Sequence, residues 1–471
     1  MPVNSFEDYP MSWKPDLADR KGPKYMALVR LLEEDIRSGA LKAGTKLPPQ
    51  RELADFLDVN LSTVSRAFRL CEQKGLLSAS VGKGTFVSSD AAAETIFLCS
   101  KDRESLIEMG AIVPQISGNA RVGQYTEKLL KKPDALRLFS YGVPEGTKRQ
   151  RTAGAAWFRK TGFRAEEGRI LLAAGGQNAL MASLGAVFPR GSRVGTDPLT
   201  YPGIKMAARL LGIHLIPVRS EMREMTAEGI RYAALNEKIR GIYLIPDYHN
   251  PTAHTMSLER RREIAQTARE LDLIIIEDSI NNALGETPML PVAAFAPERT
   301  ICVASLSKAV SPGLRTAFLH VPDAFRQELV NTLYAMNIAI SPLLATVSAG
   351  LIEEGIADEI VSERKAEIAQ RNQVVDEILG VGRAEGASTS PLRYICLTEG
   401  CTGRMFENRA KAAGVQVYGT ERFSVGNSLM EEAIRLSVTT PGTLEELEEG
   451  MKRLKGILDD MCGRTKGRAD G

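Results

Sequence analysis

Two hydrophobic periodicities divide the chain. In residues 24–38, Leu28, Leu31, Leu32 and Ile36 share one stripe at helical spacing, which predicts an amphipathic helix stopped by Gly39. Leu47-Pro48-Pro49 opens a second helical segment at 50–57, and Asp58-Val59-Asn60 turns the chain. Over 61–74, Val64, Ala67, Phe68 and Cys71 share a face, leaving Ser62, Thr63, Ser65, Arg66 and Arg69 on the other. Residues 75–87 read as a β-hairpin with Gly82-Lys83-Gly84 at its tip. Residues 89–104, small or charged apart from Ile96-Phe97-Leu98-Cys99, read as a linker.

From about residue 105 the pattern changes. Apolar strand-like runs at 169–173, 193–195, 213–216, 241–245, 273–276 and 301–303 alternate with helical patterns at 177–188, 203–211 and 257–270. Strands buried on both faces and joined by helical crossovers predict an α/β unit built on a mostly parallel, doubly wound sheet. Ligands bind such sheets at the carboxyl ends of the strands. Residues 340–465, with strands at 392–397 and 432–438, predict a smaller α/β subdomain. The expected domains are therefore 15–88 and 105–465, joined by the linker.

Composition sharpens this division. The net charge of the whole chain is only +2, so any polyanion site must be local. Residues 59–87 carry Arg66, Arg69, Lys74 and Lys83 against Glu72 alone, a local excess of +3. A buried stripe backed by short hydroxyls and arginines suits a helix that enters the major groove of double-stranded DNA, and a Gly-Lys-Gly tip suits its phosphates. The six cysteines are scattered without a Cys-x-x-Cys pair, which points to a reducing compartment and no zinc framework. The apolar stretch 338–352 is too short and too interrupted to span a bilayer, so a cytoplasmic protein with no membrane partner and no metal is expected.

The candidate chemistry centres on 303–315. Lys308 follows an apolar run within Ser305-Leu306-Ser307-Lys308, and Pro312-Gly313-Leu314-Arg315 places an arginine seven positions later. Small residues let a phosphorylated ligand approach, the arginine clamps an anion, and the lysine is free to form a Schiff base with an aldehyde. Other strand ends add suitable groups. Gly175-Gly176-Gln177 opens a helix whose N-terminus favours phosphate, Glu277-Asp278 ends a buried run, and Asn250 and Tyr201 sit in turns. Arg435, in a late strand, suits a carboxylate.

Two resemblances follow from these motifs. Residues 24–87, through Lys46-Leu47-Pro48-Pro49-Gln50-Arg51-Glu52-Leu53-Ala54, Ser62-Thr63-Val64-Ser65-Arg66-Ala67 and Gly82-Lys83-Gly84-Thr85-Phe86-Val87, resemble the winged helix-turn-helix domain of GntR regulators, with Pro49 where that family often has Ser. The resemblance implies DNA contacts from Arg51, Ser62, Thr63, Ser65 and Arg66, with Lys83 at the wing. Residues 105–460 resemble a fold-type I aminotransferase module. That implies pyridoxal 5'-phosphate as cofactor, Lys308 as the Schiff-base residue and Asp278 as the partner of the pyridine nitrogen. Asn250 would bond the ring oxygen and Tyr201 stack on the ring. Gly176, Gln177, Ser305 and Arg315 would hold the phosphate, and Arg435 a substrate or effector carboxylate. Tyr141 resembles the tyrosine that reaches a neighbouring subunit's phosphate, which implies a homodimer.

The combination resembles the MocR subfamily of GntR regulators, in which the module senses rather than catalyses. A transcriptional regulator that reads an amino compound, or pyridoxal phosphate itself, through a Schiff base at Lys308 is therefore expected, as a head-to-tail dimer. Two departures bear on this: Asn281 stands where the aminotransferases usually have tyrosine, and Asn250-Pro251-Thr252 is followed by Ala253 rather than glycine. Both weigh against the alternative, an active aminotransferase with an accessory DNA-binding domain.

Overall fold

Apolar residues at helical spacing gather into a small helical core first. Leu28, Leu32 and Ile36 of α1 (Lys24–Ser38), Leu53 and Ala54 of α2 (Gln50–Phe56) and Val64, Ala67, Phe68 and Cys71 of α3 (Leu61–Gln73) are buried together. A two-stranded antiparallel sheet follows, β1 (Leu77–Ser80) with β2 (Gly84–Val87), in register from Leu77↔Val87 to Ser80↔Gly84. The computed structural model describes residues 11–17, 22–38, 40–41, 44–73, 76–80, 84–87, 106–398, 400–426 and 431–463. The expected linker and Lys83 at the wing tip lie outside them. The chain divides into two compact units, Met1–Thr95 with Ser424–Leu429, and Ile96–Phe423 with Met430–Gly471.

One feature of the first unit escapes the sequence pattern. Trp13, in a stretch that reads as polar, is buried in the helical core, and its indole N–H donates to Asp35 Oδ2 at 2.8 Å. A single aromatic has no periodicity to reveal it.

The second unit opens with β3 (Ile107–Glu108), α4 (Asn119–Leu130) and α5 (Lys148–Arg159). Its large sheet is built from β4 (Ile170–Ala173), β5 (Arg193–Thr196) and β6 (His214–Pro217), with α6 (Gly176–Val187) and α7 (Pro202–Leu211) as the intervening crossovers. A short hairpin, β7 (Ser220–Glu221) and β8 (Glu224–Met225), and α8 (Ala227–Tyr232) lead to β9 (Gly241–Leu244), α9 (Leu258–Glu270) and β10 (Ile274–Asp278). Then come β11 (Thr300–Ser305), α10 (Leu306–Ala309) and β12 (Ala317–His320). The strand order is β4-β12-β11-β10-β9-β5-β6. All neighbours are parallel except β12, which runs antiparallel to β11 and β4. This strand was not expected, because Ala317-Phe318-Leu319-His320 is short and follows the Pro-Gly turn directly.

Three helices, α11 (Asp323–Asn337), α12 (Pro342–Glu353) and α13 (Ile356–Leu379), carry the chain to the second sheet. That subdomain holds β13 (Leu392–Cys396), α14 (Gly403–Ala412), β14 (Val415–Gln416), β15 (Tyr418–Gly419), β16 (Ala433–Ser437) and α15 (Leu444–Gly463). Its three-stranded sheet runs β13-β16-β15, while β14 pairs in parallel with β3. No helix among the described residues is long and apolar enough to cross a membrane.

Candidate functional site

The parallel register brings the ends of several strands to one edge. Ile276 of β10 lies beside Tyr243 of β9, and Asp278 beside Val303 of β11. Asp278 therefore emerges next to the turn from β11 into α10 that carries Lys308. The Asp278 carboxylate is buried, accepting from the Tyr243 hydroxyl at 2.9 Å and the Ile280 N–H at 3.3 Å. Burial pushes this carboxyl up to about 6. The neighbouring Glu277 is satisfied differently, by the N–H groups of Val292 and Ala293 at 2.8 Å each.

Lys308 is half-buried, and its ammonium donates to the Ile112 carbonyl at 2.5 Å. Burial, joined by the charges of Arg435 and Arg315, brings its amine down to about 8. A lowered value leaves more neutral amine at physiological pH, which a nucleophile needs. Ser305 caps α10, accepting from the Ser307 N–H at 3.2 Å while its hydroxyl meets Ser307 Oγ and the Thr316 carbonyl.

A glycine–arginine cluster lies beside the lysine. Gly175 has φ +90°, and a Cβ there would sit 2.5 Å from Arg315 Nη2; one on Gly176 would sit 2.5 Å from Ile280 Cδ1 and 3.9 Å from Ser305 Cβ. The glycines thus let the start of α6, where helix N–H groups are free, stand against Arg315 and Ser305. Arg315 donates to the Ala174 carbonyl at 3.3 Å. Gln177 donates its amide to the Gly203 carbonyl at 2.8 Å, leaving its buried Oε1 without a hydrogen-bond partner among the described residues. Tyr201 precedes α7, and burial together with Asp278 pushes its phenol up to about 12.

Arg435 closes the site from the smaller subdomain. It is 2% exposed, donates through Nη1 to Asn250 Oδ1 at 2.9 Å, and has Nε and Nη2 buried without hydrogen-bond partners among the described residues. Burial lowers its guanidinium to about 10. Asn250 itself is held by the loop after β9. There Arg261, fully buried, pairs with Asp247 at 2.6 Å and donates to the carbonyls of Pro246, Met256 and Leu290.

The structure therefore gathers Gly176, Gln177, Tyr201, Asn250, Asp278, Ser305, Lys308, Arg315 and Arg435. Tyr141 is not among them; it is 87% exposed. Asn281 turns its amide to the Tyr248 carbonyl at 3.2 Å, so no phenol stands at that position. Sequence reasoning missed Tyr243, Ile112 and Arg261. Tyr243 could have been found, since a tyrosine inside a strand buried on both faces needs a hydroxyl partner. Arg261 is one of three consecutive arginines, and nothing in the sequence says which of them is buried.

In the helical unit, Arg51, Ser62 and Arg66 are exposed, and Thr63 and Ser65 are half-buried. Ser65 donates to Gln50 Oε1 at 2.7 Å, tying α3 to α2. The Arg66 guanidinium rests 4.0 Å from the centre of the Tyr25 ring.

Residues 24–87 match the bacterial regulatory proteins of the gntR family, and residues 118–454 match aminotransferase class I and II. The chain is 44% identical over 461 residues to the uncharacterized HTH-type transcriptional regulator YdeF of Bacillus subtilis, covering 98% of this chain and 100% of that one. It is 23% identical to the HTH-type pyridoxine biosynthesis transcriptional regulator PdxR of Corynebacterium glutamicum, over 74% of this chain and 78% of that one. Among solved structures it resembles LysN, the alpha-aminoadipate aminotransferase of Thermus thermophilus, complexed with N-(5'-phosphopyridoxyl)-L-leucine. The TM-score is 0.68 at 23% identity, covering 78% of this chain and 96% of that one.

Proposed function

The chain belongs to the GntR-type helix-turn-helix transcriptional regulators that carry an aminotransferase class I and II domain, and on that premise we propose that it senses an amino compound, or pyridoxal 5'-phosphate itself, at Lys308. The observation that carries this reading is the meeting of Lys308, Asp278 and the glycine–arginine cradle at one strand edge. Each is the kind of group the cofactor requires. Asp278, buried with only neutral donors bonded to it, suits a protonated pyridine nitrogen. Gly176, Gln177, Ser305 and Arg315 would hold the phosphate, Asn250 the ring oxygen, and Tyr201 the ring face. When bound, the cofactor supplies an aldehyde that condenses with amines.

Arg435, with two unpartnered nitrogens, would take the effector's carboxylate. Arg51, Ser62, Thr63 and Arg66 would meet the operator directly, while Ser65, already bonded to Gln50, would set the angle of α3. Tyr141 stands exposed near the exposed Leu136 and Phe139, which supports a homodimer in which Tyr141 reaches the partner's phosphate. A head-to-tail arrangement in the cytoplasm completes this reading. The missing phenol at Asn281 favours sensing over turnover.

The test is the visible absorption of the purified protein after loading with pyridoxal phosphate, with Lys308→Ala as control. A band that depends on Lys308 and shifts with an amino compound, without release of an oxo acid, supports the reading. No band in the wild type contradicts it, and full conversion that an oxo acid reverses would establish an enzyme instead.

A further inference from the structure

The smaller sheet carries a second unpartnered polar group beside Arg435. Tyr394 of β13 is directly opposite Arg435 of β16, and Tyr418 of β15 flanks Arg435 on its other side. Directly paired residues share a face, with Cβ atoms roughly 4.5–5.5 Å apart. Tyr394 is 0% exposed, and its hydroxyl has no hydrogen-bond partner among the described residues. A buried tyrosine hydroxyl normally has one. Tyr394 belongs to a buried cluster with Ala253, Leu392 and Ala433, against which Ile112 and Leu199 pack. Ile112 is the residue whose carbonyl takes the Lys308 ammonium, so this cluster reaches the site itself.

The surroundings of the hydroxyl restrict what it can bind. The Arg223 guanidinium lies 4.6 Å from the ring centre and is already paired with Glu385 and with Glu431. Burial, and the charge of Glu431, keep the phenol protonated well above its ordinary range. The group is therefore a hydrogen-bond donor, and it stands beside two carboxylates whose cation is already engaged. An uncharged acceptor fits there; a further carboxylate would meet like charge.

We propose that the Tyr394 hydroxyl reads the effector's side chain, and that the effector is an α-amino acid carrying an uncharged hydrogen-bond acceptor, an amide or a hydroxyl. This rests on the reading that an amino compound reacts at Lys308. Ala253, one of the two departures from the aminotransferase pattern, gains a place here: it belongs to the same buried cluster as Tyr394.

The experiment titrates the cofactor-loaded protein with matched pairs, L-glutamine against L-norleucine and L-serine against L-alanine, following the visible band. Wild type should be half-saturated at lower concentration by the polar member of at least one pair. Tyr394→Phe should weaken that member about tenfold, equivalent to 1.4 kcal/mol, and leave its apolar counterpart unchanged. An equal effect of Tyr394→Phe on both members, or none on either, would overturn the proposal. So would equal binding of both members of both pairs by wild type, a result that needs no variant to fold. If the wild-type band forms but no amino acid shifts it, amino-compound sensing fails too, whereas loss of discrimination alone leaves that reading standing.

Discussion

Replacing Asp278 by asparagine should move the stability of the cofactor-free protein and its cofactor affinity in opposite directions. Burial raises this carboxyl from 3.8 to about 6. A group whose folded value is raised contributes stability that is complete below its unfolded value and lost as the pH climbs through the folded one. At pH 8 the ionised carboxylate therefore costs the cofactor-free fold roughly 3 kcal/mol, at about 1.4 kcal/mol per tenfold in proton affinity. Asparagine has no charge to bury and can still accept from the Tyr243 hydroxyl. Its amide N–H group needs a partner, which offsets about 1–2 kcal/mol of the gain. The cofactor-free variant should thus be about 1–2 kcal/mol more stable at pH 8, and the advantage should shrink toward pH 4. Pyridoxal phosphate should bind it about 10–150-fold more weakly, because a charge-assisted hydrogen bond of roughly 1.5–3 kcal/mol is lost. Thermal melts across pH with and without cofactor, together with a spectral titration, read both effects. A variant that is less stable at pH 8 yet binds the cofactor as wild type does would refute the assignment of Asp278.

Other substitutions test the remaining parts of the site. Gly175→Ala would place a Cβ 2.5 Å from Arg315 Nη2 at φ +90°, so cofactor affinity should fall and the melting temperature drop by the equivalent of about 1–2 kcal/mol. Arg435→Met removes a buried cation with two unpartnered nitrogens; the cofactor-free melting temperature should hold or rise, while the spectral response to carboxylate-bearing amino compounds falls about tenfold or more. Arg261→Ala strips Asp247 of its buried partner and should cost about 3–5 kcal/mol in a denaturant titration. In the helical unit, Tyr25→Leu should weaken operator binding a few-fold, as expected for losing about 0.5–1 kcal/mol of ring–guanidinium attraction, whereas Tyr25→Phe should not.

Much of this architecture is written in local pattern. The stripe of Val64, Ala67, Phe68 and Cys71 announces its helix because burial on one face has a period the eye can follow. The strand ends at Asp278 and at Ser305, three residues before Lys308, are legible because apolar runs stop abruptly at polar residues. What stays hidden depends on partners distant in sequence. Tyr243 matters because Asp278 arrives 35 residues later. Ile112 matters through a backbone carbonyl, which no side chain advertises. Tyr394 reads as an ordinary strand aromatic until its register with Arg435 is known.

The most direct test of the account is operator affinity measured by fluorescence anisotropy at one fixed salt concentration, using DNA upstream of the protein's own gene. Wild type and Lys308→Ala would each be titrated with and without pyridoxal phosphate and the amino compound that shifts the band. These ligands should change the affinity of wild type and leave that of Lys308→Ala unchanged. Identical affinities for both proteins under every condition, or sequence-independent binding throughout, would contradict it.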